Sequence, residues 1–173
     1  MSPAPPRAHE DGLMSLSRRE LFGGALAVGA LALVRGGRAA SPGKRFEVEK
    51  TEAEWRALLS PAAYQVLRHE GTERAGTSPF LAEHRAGTFL CAGCALPLFS
   101  SKTKFDSGTG WPSFFAPLPD AVGTTEDRTF LMARTEVHCR RCGGHLGHVF
   151  ADGPKPTGLR YCMNGVALTF RPD

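Results

Sequence analysis

The chain has 173 residues, a formal charge of +4 and 42% hydrophobic residues, with only five cysteines. That length suits one domain with an appendage. The basic charge sits largely at the N-terminus: residues 1–40 hold five arginines against three acidic residues, so the remainder carries +2 and makes no case for a nucleic-acid partner.

The appendage comes first. Arg18 and Arg19 precede an apolar run from Leu21 to Val34, and small residues follow at Ala39 and Ala40. The run is shorter than the roughly 20 residues of a membrane-spanning helix and has the layout of a cleavable secretory signal. Ser17-Arg18-Arg19-Glu20-Leu21-Phe22 resembles the twin-arginine export signal. Residues 1–40 are therefore assigned as a signal of that type and 41–173 as the mature domain, with the bacterial periplasm as destination and no stable membrane span in the mature form. An uncleaved anchor and a buried apolar helix are the alternatives, and adjacent arginines before Gly/Ala-rich sequence fit neither. Met14 is an alternative initiator.

Residues 41–50 read as a linker merging into an opening strand at 45–49. Two short helices follow. Thr51 with Glu54 forms a capping-box pattern, and Trp55, Leu58 and Leu59 give one apolar face. Ser60-Pro61 restarts the chain as an N-cap with proline at the first helical position, and Gly71 closes the second helix. From Gly87 onward short apolar runs alternate with Gly, Pro, Asp and Thr turns, among them residues 87–92, 95–101, 129–139, 145–150, 158–163 and 166–172. This spacing predicts a mainly β fold, two antiparallel sheets in a sandwich or barrel-like pair, behind short N-terminal helices.

Cys91-Ala-Gly-Cys94 and Cys139-Arg-Arg-Cys142 each place two sulfurs one turn apart. Two such knuckles brought together build a four-sulfur cage of the geometry zinc accepts, with Gly93 and Gly143 suited to the turns. All four positions would be filled by sulfur, so the zinc would be structural. Two disulfides, or a redox-active pair of thioredoxin type, are the competing readings.

Cys162 is left without a partner. In a strand Arg160, Cys162 and Asn164 share a face, while Tyr161 and Met163 take the other. A fixed positive charge beside a thiol favours its ionised, nucleophilic form. A buried structural cysteine is the commoner fate of a lone thiol, but Arg160 is expensive to bury unpaired. His145 and His148 would face opposite ways on a straight strand, so they serve one site only if the chain bends at Gly147. A metal pair at the two histidines lacks a third ligand. Asp152 is positioned in sequence to hold Arg160. Trp111, between Gly110 and Pro112, reads equally as a pocket wall or as core packing.

Residues 107–115, 139–165 and the upstream knuckle resemble the B-type methionine sulfoxide reductases, over roughly Glu47 to Pro172. The resemblance implies a two-sheet β fold with short N-terminal helices and a structural zinc held by Cys91, Cys94, Cys139 and Cys142. It also implies thiol-dependent reduction of methionine-R-sulfoxide in oxidised proteins or peptides. It makes Cys162 the nucleophile, His145, His148 and Asn164 catalytic partners, Trp111 a substrate-binding residue, and Asp152 with Arg160 a supporting ion pair. Many such proteins carry a second, resolving cysteine where this chain has Thr109. The expected consequence is a sulfenic acid on Cys162 reduced directly by an external thiol, either a thioredoxin-like protein or a small thiol. A non-enzymatic zinc-ribbon module and a Cys162/His148 hydrolase are the rival readings.

Overall fold

A computed structural model describes residues 46–127 and 134–173. The segment assigned to export, residues 1–40, lies outside the described residues, as do residues 129–133 of the stretch expected as a strand at 129–139. Among the described residues no helix is long and apolar enough to cross a membrane.

Helix α1 (Glu52–Leu58) starts on the expected capping box. The Thr51 hydroxyl accepts from the Glu54 N–H at 3.3 Å, and the Glu54 carboxylate accepts from the Thr51 N–H at 2.7 Å. Such a cap contributes about 1 kcal/mol. Helix α2 (Pro61–His69) starts as expected at Ser60, whose hydroxyl accepts from the Ala63 N–H at 3.2 Å. Two details differ from expectation. Leu58 is 54% exposed, so Trp55 and Leu59 alone form the buried face of α1. The left-handed residue that ends α2 is Glu70, at φ 54°, while Gly71 is not left-handed. Glycine is favoured at 71 by contact instead: a Cβ there would lie 3.0 Å from the Gln65 carbonyl oxygen, which already accepts the Gly71 N–H.

The strands, in chain order, are β1 (Gly87–Cys91), β2 (Pro97–Ser100), β3 (Lys104–Phe105), β4 (Ser113–Phe114), β5 (Val122–Asp127), β6 (Arg134–Cys139), β7 (His145–Phe150), β8 (Arg160–Met163) and β9 (Leu168–Pro172). They form two antiparallel sheets, ordered β2-β1-β9 and β3-β4-β8-β7-β6-β5. The mainly β, two-sheet expectation holds. The opening strand does not: residues 46–50 join no ladder and are tied down by one backbone bond, Val48 N–H to the Arg141 carbonyl at 3.0 Å. Phe46 packs edge-on against His138 and covers Gly143, an anchoring by side chain that leaves the backbone unladdered.

Aromatic rings join the sheets. Phe99 stacks on Phe114 at 4.4 Å, and Phe89 meets Phe114 edge-on at 5.0 Å. All three are fully buried, with Leu98, Leu146 and Met163. Truncating such a ring costs about 3–5 kcal/mol. Helix α2 lays Tyr64, Val66 and Leu67 into this core and rests on β7 and on the 3-10 turn Gly165–Ala167, which follows β8. The ends of β7 and β8 that carry the chemistry therefore sit on a rigid base.

Candidate active site and metal centre

One row of side chains crosses the larger sheet. Ser113 on β4 pairs with Cys162 on β8, Cys162 with His148 on β7, and His148 with Glu136 on β6. Residues paired directly across antiparallel strands project to one face, so the thiol and the imidazole are neighbours by register.

His145 joins them through a bulge. Val137 pairs with Gly147 and the next residue, His138, with His145, so Leu146 is an extra residue in β7. One inserted residue reverses the alternation, and His145 and His148 end with their rings 5.4 Å apart, edge to face. Gly147 permits this by size: a Cβ there would lie 2.1 Å from the Cys162 carbonyl oxygen. The bend expected at Gly147 is thus a bulge beside it.

Each imidazole faces a carboxylate. His145 Nδ1 lies 2.9 Å from Glu136 Oε1, and His148 Nε2 lies 3.0 Å from Asp127 Oδ2, which also accepts from Arg134 at 2.8 Å. The His145 hydrogen bond holds the Glu136 carboxyl below its usual range. Burial pushes His148 below the ordinary histidine value, against the opposing pull of Asp127. His145 Nε2 is buried with no hydrogen-bond partner among the described residues.

Cys162 opens into a cavity of about 220 Å³ walled by Trp111 and Phe150, with His148 and Asn164 as polar lining. Thr72 and Arg134 stand where this cavity meets a polar groove of about 520 Å³ that His145 and Glu136 line. His145 thus borders the groove and His148 borders both spaces. Trp111 is a pocket wall, held by its indole N–H to the Glu73 carbonyl at 3.1 Å. Asn164 is tied by its amide oxygen to the Glu73 N–H at 2.9 Å and by its amide nitrogen to the Leu146 carbonyl at 3.1 Å. One N–H of that amide stays uncommitted by those bonds.

Arg160 behaves as expected of a paired buried cation. It forms two bonds of 2.9 Å to Asp152 and lies 4.4 Å from the Phe150 ring. Asp152 raises its pKa, and the neighbouring Cys162 sulfur adds to the effect.

Sequence reasoning missed Glu73, Glu136, Asp127, Arg134 and Phe150. Glu73 links several parts of the site: beyond Trp111 and Asn164, its carboxylate accepts from the N–H groups of Gly165 and Val166 at 2.5 and 3.1 Å. Glu136 was legible in principle, since it lies two residues before His138 on a strand facing the histidines; the others had no local signal.

The four knuckle cysteines converge with their sulfurs within 4.8 Å of one another, and Cys162 stands outside them. Between the knuckles, Cys91 Sγ lies 3.7 Å from Cys142 Sγ and Cys94 Sγ lies 3.5 Å from Cys139 Sγ. Tetrahedral zinc with arms near 2.3 Å requires sulfurs roughly 3.8 Å apart, so the donor set fits the ion. Shared S–H hydrogen bonds split the thiols, pushing Cys94 and Cys139 down and Cys91 and Cys142 up. A cation that replaces those protons relieves the conflict. The knuckles turn alike: Ala95 N–H bonds the Cys91 carbonyl at 2.8 Å and Gly143 N–H the Cys139 carbonyl at 2.9 Å, both with positive φ. The left-handed position is therefore the residue after the second cysteine, and Gly93, expected in that role, does not take it.

The SelR domain family model matches residues 59–172. The chain belongs to the SelR domain family. Among its relatives, the peptide methionine sulfoxide reductase MsrB of Pseudomonas putida (strain W619) is 58% identical over 127 residues, 73% of this chain and 96% of that protein. The protein of that name from Thiobacillus denitrificans is 57% identical over 124 residues, 71% of this chain and 94% of that one. The one from Leptospira interrogans is 49% identical over 129 residues, 74% and 98% of the two chains.

Proposed function

We propose that the chain is a peptide-methionine (R)-S-oxide reductase in which Cys162 is the nucleophile. The observation that carries this is one juxtaposition: a cysteine outside the metal cluster, paired across the sheet with His148, in a cavity walled by an indole. Family membership and the names of the relatives support the same chemistry.

The oxidised thioether enters the cavity with its methyl group against Trp111 and Phe150, which sets the epimer that presents its sulfoxide to Cys162. Arg160 sets its guanidinium beside the Cys162 sulfur. As the S–O bond of the sulfoxide lengthens, charge gathers on oxygen, and the two imidazole–carboxylate pairs hold the proton it requires. Asn164 offers its remaining N–H to the same oxygen. The balance is thiolate plus sulfoxide plus one proton giving Cys162 sulfenic acid plus methionine: the substrate sulfur gains two electrons, the cysteine sulfur loses two, and oxygen moves between them. Two external thiols, from a thioredoxin-like protein or a small thiol, then become a disulfide, release water and restore Cys162. An internal disulfide has no donor, because the other four cysteines of the chain form the metal cluster and the hydroxyl of Thr109, 3.8 Å from Cys162 Sγ, stands where a resolving thiol would be needed.

Cys91, Cys94, Cys139 and Cys142 would hold a zinc ion that cross-links the loop after β1 to the loop after β6. All four coordination positions are taken by sulfur, so its contribution is to folding.

Turnover of the separated R and S epimers of a methionine-sulfoxide peptide with dithiothreitol tests the reading. The R epimer alone is consumed by the parent, and Cys162→Ser abolishes turnover with zinc retained; consumption of S alone, or full activity in Cys162→Ser, contradicts it. Residues 1–40 direct export by the twin-arginine route in the same proposal, supported by Arg18-Arg19 and the apolar run after them. Replacing both arginines by lysine should leave the protein in the cytoplasm, and an unchanged periplasmic fraction counts against export by that route.

A further inference from the structure

Thr109 touches Cys162 and is the visible end of a chain of hydroxyls. Its Oγ1 lies 3.8 Å from Cys162 Sγ and 2.8 Å from Ser107 Oγ, and Ser107 Oγ lies 2.7 Å from Ser113 Oγ. Ser113 is fully buried and donates to the Trp111 carbonyl at 3.1 Å. The loop that carries Thr109 is fixed by the Gly108 N–H to Asp106 at 2.9 Å and by the left-handed Gly108 and Gly110.

A hydroxyl has one hydrogen and two lone pairs, so the direction of this chain can be worked out. Ser113 spends its hydrogen on the Trp111 carbonyl. Ser107 must then donate to Ser113, and Thr109 to Ser107. Thr109 is left with a lone pair toward Cys162, which suits a thiol S–H but not a thiolate. Rotating all three hydroxyls reverses every bond: Ser113 releases the Trp111 carbonyl and donates to Ser107, Ser107 to Thr109, and Thr109 to the sulfur. No proton changes owner. One neutral bond is lost and one charge-assisted bond is gained, and hydrogen bonds to ions are the stronger kind. Ser107 Oγ also faces the Thr109 N–H at 3.4 Å, a contact compatible with both directions.

We propose that Thr109, Ser107 and Ser113 form a reversible hydroxyl relay that accepts from Cys162 in its thiol and sulfenic-acid forms and donates to it as the thiolate. Thr109 acts on the reacting sulfur, and Ser107 and Ser113 are positioning residues. The inference rests on Cys162 being the reacting thiol. The relay works beside the charged and titratable groups around Cys162: Arg160 on its own strand, His148 paired with it on β7, and Arg134 of β6 in the lining of the same cavity.

Alkylation of Cys162 by iodoacetamide across pH, read by peptide mass mapping, tests the relay without any sulfoxide, so its failure is separable from failure of the reductase reading. Thr109→Val should slow alkylation at pH 7 about tenfold and move its pH midpoint upward. Thr109→Ser, which keeps the hydroxyl, should match the parent. Ser107→Ala should shift the midpoint in the same direction, and the double variant no further than Thr109→Val alone, because both break one chain. Parent-like kinetics in Thr109→Val, a Thr109→Ser variant as slow as Thr109→Val, or additive effects in the double variant would overturn the proposal.

Discussion

Glu73 holds Trp111: its carbonyl accepts the indole N–H at 3.1 Å, while its carboxylate spans the first two N–H groups of the 3-10 turn after β8. One residue outside the sheets therefore sets the distance between the apolar wall of the cavity and the strand carrying the thiol. Glu73→Ala keeps the backbone bonds but leaves two N–H groups unpaired, at about 1–3 kcal/mol. The expected result is a lower Tm with KM for a sulfoxide peptide raised more than kcat is lowered. Thermal melts and steady-state kinetics check it.

Gly147→Ala should be among the most damaging single changes. Its Cβ would sit 2.1 Å from the Cys162 carbonyl oxygen, so β7 and β8 must separate at the site itself. Loss of several kcal/mol, about 3 or more, is expected from a backbone clash of this kind, with activity lost in whatever fraction folds. Denaturant titration gives the first number and turnover of the folded fraction the second.

Metal removal should act on stability before chemistry. Structural zinc contributes binding energy comparable to the whole stability of a small domain. Stripping it with a strong chelator should lower Tm by well over about 10 °C, and Cys94→Ser should do the same with loss of the bound ion. Calorimetry with metal analysis reads both.

The pH dependence follows from His148. Burial depresses its pKa below the ordinary 6.5, so the unfolded chain takes up a proton at a pH where the folded chain does not. Stability therefore rises with pH through the window just below 6.5, and is lost as pH falls through the folded value. Glu136, whose carboxyl is depressed by the His145 hydrogen bond, adds a loss in the same direction below its ordinary 4.5. Urea midpoints at pH 7.5 and pH 5.5 should differ, and His148→Gln should reduce that difference.

Thr109→Cys should change the product. The native hydroxyl oxygen is 3.8 Å from Cys162 Sγ, so a thiol there is within a small adjustment of bonding distance. Oxidation by substrate should then end in a disulfide with Cys162, seen as the loss of two thiols and of dimedone reactivity.

What the sequence carries is local. The helix caps at Thr51 and Ser60, the two knuckles, the shared face of Arg160 and Cys162, and the Asp152–Arg160 pair all depend on residues within a few positions of each other. The rest depends on register. That Cys162 lies opposite His148, and that Leu146 is an extra residue putting His145 on the same face, are properties of strand pairing between segments that give no sign of it alone. Glu73 lies beyond the reach of such reading altogether, because its hydrogen bonds go to residues 38 and more positions away. The opening strand failed for a related reason: alternation in residues 45–49 marks residues able to be half-buried, and Phe46 is half-buried there by its ring against His138, with its backbone in no ladder.

The most direct test of the central claim is the mass of the protein after a single turnover with methionine-R-sulfoxide peptide and no reductant. The account predicts one methionine released per chain and one added oxygen, or a dimedone adduct, on Cys162 alone. Methionine released with Cys162 unmodified, or with Cys162 in a disulfide to one of the four knuckle cysteines, would contradict it.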